Sequence, residues 1–202
     1  MFKNLSPGAI GIRNLALAEA IELAQKSGFE GIDFNIREAA ALADEHGVDY
    51  VRQLFEQAGV RPGLWGFPVT WNKEEAQWKQ DLAELPRLAV LGRDLGCLRT
   101  ATWVPPNSVE RPFKENFEWH VARFKPAAEV LKDYGCRLGL EFIGPQTYGR
   151  RINMPSSTPW KACWNWPRRL GRVMSACCST PGISTPRVGA SPIWTRSRPT
   201  MW

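Results

Sequence analysis

The chain has 202 residues, 44% of them apolar, which suits one soluble domain or one large domain with a tail. No apolar run is long enough to cross a bilayer, and the N-terminal MFKNLSPGAIGIRN lacks the apolar core of a secretory signal, so a cytoplasmic location is the expectation. The formal net charge of +6 is unevenly placed: Gly149 to Trp202 holds nine Arg/Lys and no acid, leaving 17 basic and 20 acidic residues before it.

The first 148 residues alternate short apolar runs with amphipathic stretches. Leu5 to Ile12 reads as a first strand, and Asn14 as a cap for the helix that Gly28 ends. Gly31 to Ile36 is a second strand. Helices over Arg37 to His46 and Asp49 to Ala58 follow, closed by Gly47 and Gly59. Arg61 to Phe67 is a third strand, and Lys73 to Leu95 a long helix with a break expected at Pro86. Cys97 to Trp103 is a fourth strand, Val109 to Tyr134 mostly helix, and Cys136 to Phe142 a fifth strand. Cys97 and Cys136 sit in apolar runs and read as buried thiols; the five cysteines match no zinc spacing.

Strand and helix alternate five times, the mark of a parallel sheet covered by helices. A (β/α)8 barrel needs about 250 residues. The fold expected is therefore α/β: a partial TIM barrel of about five βα units over 1–148, followed by an irregular tail over 149–202. A doubly wound open sheet is the competing fold, weakened because no glycine-rich dinucleotide fingerprint follows the first strand.

Active-site residues of a barrel gather where strands end. Those positions hold Asp33, Asn35, Trp65, Phe67, Thr102, Trp103 and Glu141. Glu141 ends an otherwise apolar strand. A carboxylate there must be paired, protonated or bound to a cation; a hard divalent metal and a salt bridge to Arg99 or Arg137 are both open. Trp65, Phe67 and Trp103 could wall a sugar ring or simply pack the core. Asp33 could support the site or hydrogen-bond a neighbouring strand's side chain. His46, at a helix end, reads as solvated, and neither it nor His120 lies at a strand end.

The segments LAEAIELAQKSGFEGIDFNI, RTATWVPPNS and LKDYGCRLGLEFIGPQTY resemble the sugar phosphate isomerase/epimerase family with the xylose isomerase-like TIM barrel, over roughly residues 1 to 148. GLEFIGP is the most specific of them. The resemblance implies an enzyme of carbohydrate metabolism acting on a small sugar or polyol. It also implies a divalent metal (Mn, Mg, Co or Zn) held by a Glu after strand five, an Asp after strand six, a His after strand seven and a Glu after strand eight. Glu141 matches the first ligand, as metal ligand and catalytic carboxylate. The other three have no counterpart, because Glu141 is the last acid of the chain. The expectation for this chain is no stably bound metal and little activity.

Gly149 to Trp202 contains seven prolines, twelve Ser/Thr and five of the ten tryptophans, with neither helical nor strand period. One reading is a disordered basic module whose Arg and Trp residues bind single-stranded nucleic acid or an anionic surface. The scattered charge and the richness in Trp and Cys speak against it. The other reading is translation out of frame. When the third base of each codon is joined to the first two of the next, Trp160–Lys161 must give Glu, Cys163–Trp164 Leu, Trp164–Asn165 Glu, Asn165–Trp166 Leu and Trp166–Pro167 Ala. The displaced line is compatible with QYAFIYT, then MEGMLELA, an amphipathic helix opening. Ala176 to Thr185 permits LLLDSWHLY, with the Leu at Cys177–Cys178 forced, and Thr185 to Trp202 permits TSGGRLADLDALKADDV. An apolar strand ending in Asp before a Trp-His pair resembles the family's sixth strand. The slip is expected near Tyr148 to Arg151.

Overall fold

The computed structural model describes residues 2–105, 108, 110–143 and 174–179, the last six and 142–143 by backbone alone. Strand β1 (Asn4–Leu5) is shorter than the sequence implies. Pro7, fixed near helical φ, starts a 3-10 turn over Pro7–Ile10 instead, and Gly11 closes it at φ 83°. Then come α1 (Leu17–Lys26), β2 (Gly31–Phe34), α2 (Ile36–His46), α3 (Val48–Ala58), β3 (Arg61–Gly66), α4 (Glu75–Asp94), β4 (Arg99–Val104), α5 (Phe113–Asp133) and β5 (Arg137–Ile143). Within the segment expected to be irregular, Met174–Ser179 forms a sixth strand, β6. Its residues, MSACCS, carry no apolar alternation, which is why sequence pattern did not mark it.

All six strands are parallel, in the order β1-β2-β3-β4-β5-β6. Sequential order, with helical crossovers between the strands from β1 to β5, is barrel winding; a doubly wound sheet would reverse its order part-way. The open-sheet alternative is therefore excluded. Among the described residues, β1 and β6 each have one strand neighbour.

The glycine stops act as expected, but the cap expected at Asn14 is not made: α1 starts only after Ala16, and the side-chain cap falls instead on α2, at a residue read as a site candidate. The Asn35 side chain caps α2 by accepting from the Arg37 N–H at 3.0 Å. Gly47 and Gly59 end α2 and α3 at φ 89° and 63°, angles that L side chains rarely adopt. Pro86 does not break α4. An interior proline costs about 3 kcal/mol, but Leu85, Leu88 and Ala89 beside it are fully buried. Burying a leucine contributes about 1.5–3 kcal/mol, so the pair offsets the cost.

The core lies between sheet and helices, built from Ile32, Phe34, Trp65, Leu138 and Leu140 on the strands and Ala24, Val51, Phe55, Leu85, Leu88, Phe124 and Leu131 on the helices. Cys97 and Cys136 are buried free thiols, as expected. Burial pushes the Cys136 thiol up to about 11, which keeps it protonated and inert.

Candidate active site

Alternation along β4 and β5 decides which side chains are offered to a ligand. Thr100, Val104, Leu138 and Leu140 are buried, while the residues between them face the other way. Ala101 pairs with Gly139, and a side chain on Gly139 would meet the Ala101 methyl at 3.2 Å. Two residues on, Trp103 pairs with Glu141 in the same register. Both are exposed, Trp103 at 54%. A carboxylate and an indole thus stand side by side on the non-helical face, at the C-terminal end of adjacent strands. Arg99, one proposed partner for Glu141, lies at the start of β4, donating from Nε to the Gly63 carbonyl at 3.1 Å with its guanidinium over Phe2.

Trp65 is elsewhere. β3 spends three residues, Pro62 to Leu64, against Ile32 and Asp33 of β2. This bulge turns Trp65 toward the helices. Its side chain is fully buried against Gly92 of α4, and its indole N–H donates to the Cys97 carbonyl at 2.9 Å. Of its two readings, core packing is the one the position favours. Phe67 follows β3 half-buried, its ring 6.1 Å from Phe124. Thr102 accepts from the Trp71 indole at 3.3 Å.

Asp33 takes its strand-neighbour role: Asn4 Nδ2 donates to it at 2.6 Å. Burial holds its carboxyl above the ordinary range, against hydrogen bonds from Asn4 and Ser6 and the charge of Arg99. Asn35 is spent as a helix cap. The loop after β3 was not marked from sequence. Asp81 of α4 anchors it, accepting from the Thr70 N–H at 2.7 Å and from Arg37 at 2.9 Å. Its signal was a lone acid on the inner side of a helix.

His46 is exposed at the end of α2, as expected. His120 is 3% exposed, packed by Trp71, Trp119 and Phe124, with Nδ1 2.7 Å from the Asn116 carbonyl. Burial pushes its pKa below the ordinary value. The unfolded chain then takes up the proton first, so the contribution of neutral His120 is complete above about pH 6.5 and is lost as pH falls below it. Thermal unfolding between pH 7.5 and 5 should show a falling Tm whose slope is shallower in His120→Phe. An unchanged slope would remove His120 as its source.

With the barrel winding and the strand-end carboxylate in place, the family comparison is decisive. Residues 21–162 match the family model described as "Xylose isomerase-like TIM barrel". The chain belongs to this family. Three solved structures show the same fold. A xylose isomerase domain protein from Alicyclobacillus acidocaldarius aligns at TM-score 0.72 and 22% identity, over 87% of this chain and 62% of that one. The IolI protein with a binding zinc atom gives 0.56 and 18%, over 76% and 60%. D-psicose 3-epimerase with D-tagatose from Clostridium cellulolyticum H10 gives 0.61 and 13%, over 88% and 63%. The chain thus spans about three fifths of each of these relatives. No curated protein matches. No helix among the described residues is long and apolar enough to cross a membrane.

Proposed function

We propose that this xylose isomerase-like chain derives from a cytoplasmic, divalent-metal-dependent isomerase or epimerase of a sugar, sugar phosphate or polyol, and that Glu141 is the part of the reaction centre it retains. The observation that supports this is the register that puts an exposed Glu141 beside an exposed Trp103 at the strand ends. Trp103 offers an apolar plane to the C–H face of a sugar ring, and Phe67 follows a strand at the same end. Glu141 has the chemistry to move a proton between adjacent carbons.

A metal would polarise the sugar's oxygens when bound. The described residues do not fit one: no group of three or more His, Cys, Asp or Glu comes together among them. A single carboxylate cannot fix a catalytic ion's geometry. The full chain is therefore expected to bind Mn²⁺ no tighter than about 1 mM by titration calorimetry. It should turn over D-psicose or D-tagatose no faster than its Glu141→Gln variant. Metal-dependent turnover that Glu141→Gln abolishes would overturn the inactivity and keep the role of Glu141. Turnover that survives the substitution would remove that role.

A further inference from the structure

The unexplained part of the molecule is the acid-free segment 149–202 and the sixth strand inside it. We propose that these codons are read one base out of register, and that the displaced frame encodes the barrel's sixth βα unit, with a carboxylate at its strand end on the side of Glu141. The constraint comes from residues with single or paired codons, which leave little choice in the neighbouring frame. Besides the helix opening with its two forced Glu, Trp194–Thr195 must give Asp. Met154–Pro155 must give Ala, and Met201–Trp202 Val. Three acids are thus compelled in a line whose present reading has none, and they fall among forced apolar residues. In Met-Glu-Gly-Met-Leu-Glu-Leu-Ala four of the five apolar positions, 1, 4, 5 and 8, share one helix face.

The fold supplies a separate observation. β6 pairs with β5 over six residues, Leu138↔Met174 through Ile143↔Ser179. Over the second half of those codons, Ala176 to Ser179, the displaced line is apolar. Ala176–Cys177 can give only Met, Leu or Val, Cys177–Cys178 must give Leu, and Cys178–Ser179 permits Leu or Phe. Three consecutive apolar residues suit a parallel strand buried on both faces, and the present reading has Cys177, Cys178 and Ser179 there. The run then ends on schedule. Ser179–Thr180 can give only Asn, Asp, His or Tyr, and so can Gly182–Ile183. A polar residue is therefore compelled just past the end of β6, the end of the sheet that Glu141 occupies on β5. Asp there and His three places on are the readings that complete the pattern.

The test is the nucleotide sequence of the gene and its transcript over codons 146–202. The displaced frame is expected to run open to codon 202, with GAC across Ser179–Thr180 and CAT across Gly182–Ile183. A stop codon in that frame, or any other residue across Ser179–Thr180, overturns the proposal. One base inserted between codons 148 and 151 rejoins the frames. The protein made from that gene should melt at least about 5 °C above the present chain, because it gains a buried strand; an equal or lower Tm also overturns it. The carboxylate's use as a ligand rests on the isomerase reading, and Mn²⁺ titration of the rejoined protein separates the two. An open frame with a raised Tm and no Mn²⁺ affinity keeps the frame and sinks the isomerase.

Discussion

Asp81→Ala will lower the stability of this chain by about 3 kcal/mol, read as a shift of the urea midpoint without a change in slope. Asp81 is 4% exposed and collects three donors: the Thr70 N–H at 2.7 Å, Gln77 Nε2 at 2.9 Å and Arg37 Nη2 at 2.9 Å. Arg37 in turn reaches the Pro68 carbonyl at 3.2 Å and pairs with Glu84. One carboxylate thus joins α2, the loop after β3 and α4. Removing one partner of a buried pair costs about 3–5 kcal/mol; the lower end applies because the Arg37 side chain is 39% exposed and water relieves part of its loss. Burial alone would raise the Asp81 carboxyl, but the bonds from Thr70 and Gln77 and the charge of Arg37 outweigh it and hold the group below its ordinary range. Its contribution is therefore complete above about pH 4 and is lost as pH falls through the lower folded value. Asp81→Asn keeps an acceptor for Thr70 and should cost about half as much. A loss under about 1 kcal/mol for Asp81→Ala would mean that the loop is held by something else.

The five βα units were legible because each helix carries its own stop and each strand its apolar run. Gly47 and Gly59 end helices where stops were expected, both at positive φ, whereas the cap at Asn35 was not legible, because its place at a strand end reads equally as a site position. What failed to show was decided by contacts distant in sequence. Pro86 reads locally as a break, yet the burial of Leu85 and Leu88 carries the helix through it. β6 has no pattern of its own, and β5 alone pairs with it among the described strands. At the site, the strand-end rule singled out Glu141 and Trp103 separately, and the register of β4 and β5, which run without a bulge, makes them neighbours. It could not find which way Trp65 points. Period-2 alternation puts Trp65 on the same side as Gly63, whose added side chain would meet Asn4. The register shift against β2 reverses that, and a one-residue slip is invisible in the residue types alone.

That reversal separates two tryptophans which the sequence placed together. Trp65→Ala should cost about 3–5 kcal/mol, as expected for a fully buried aromatic. Two losses add up here. The cavity opens between β3 and Gly92 of α4, and the Cys97 carbonyl loses its indole donor. Native stabilities are about 5–15 kcal/mol, so this variant stands near the limit of folding. Trp65→Phe retains most of the volume, loses the N–H, and should cost about 1–3 kcal/mol. Trp103→Ala should stay within about 0.5 kcal/mol of the parent, because an indole 54% exposed has little packing to lose. Its loss should appear instead in sugar binding by the frame-restored protein, as a raised KM. If Trp103→Ala destabilised as much as Trp65→Ala, both indoles would be core, and the proposal of a sugar-facing wall beside Glu141 would fall.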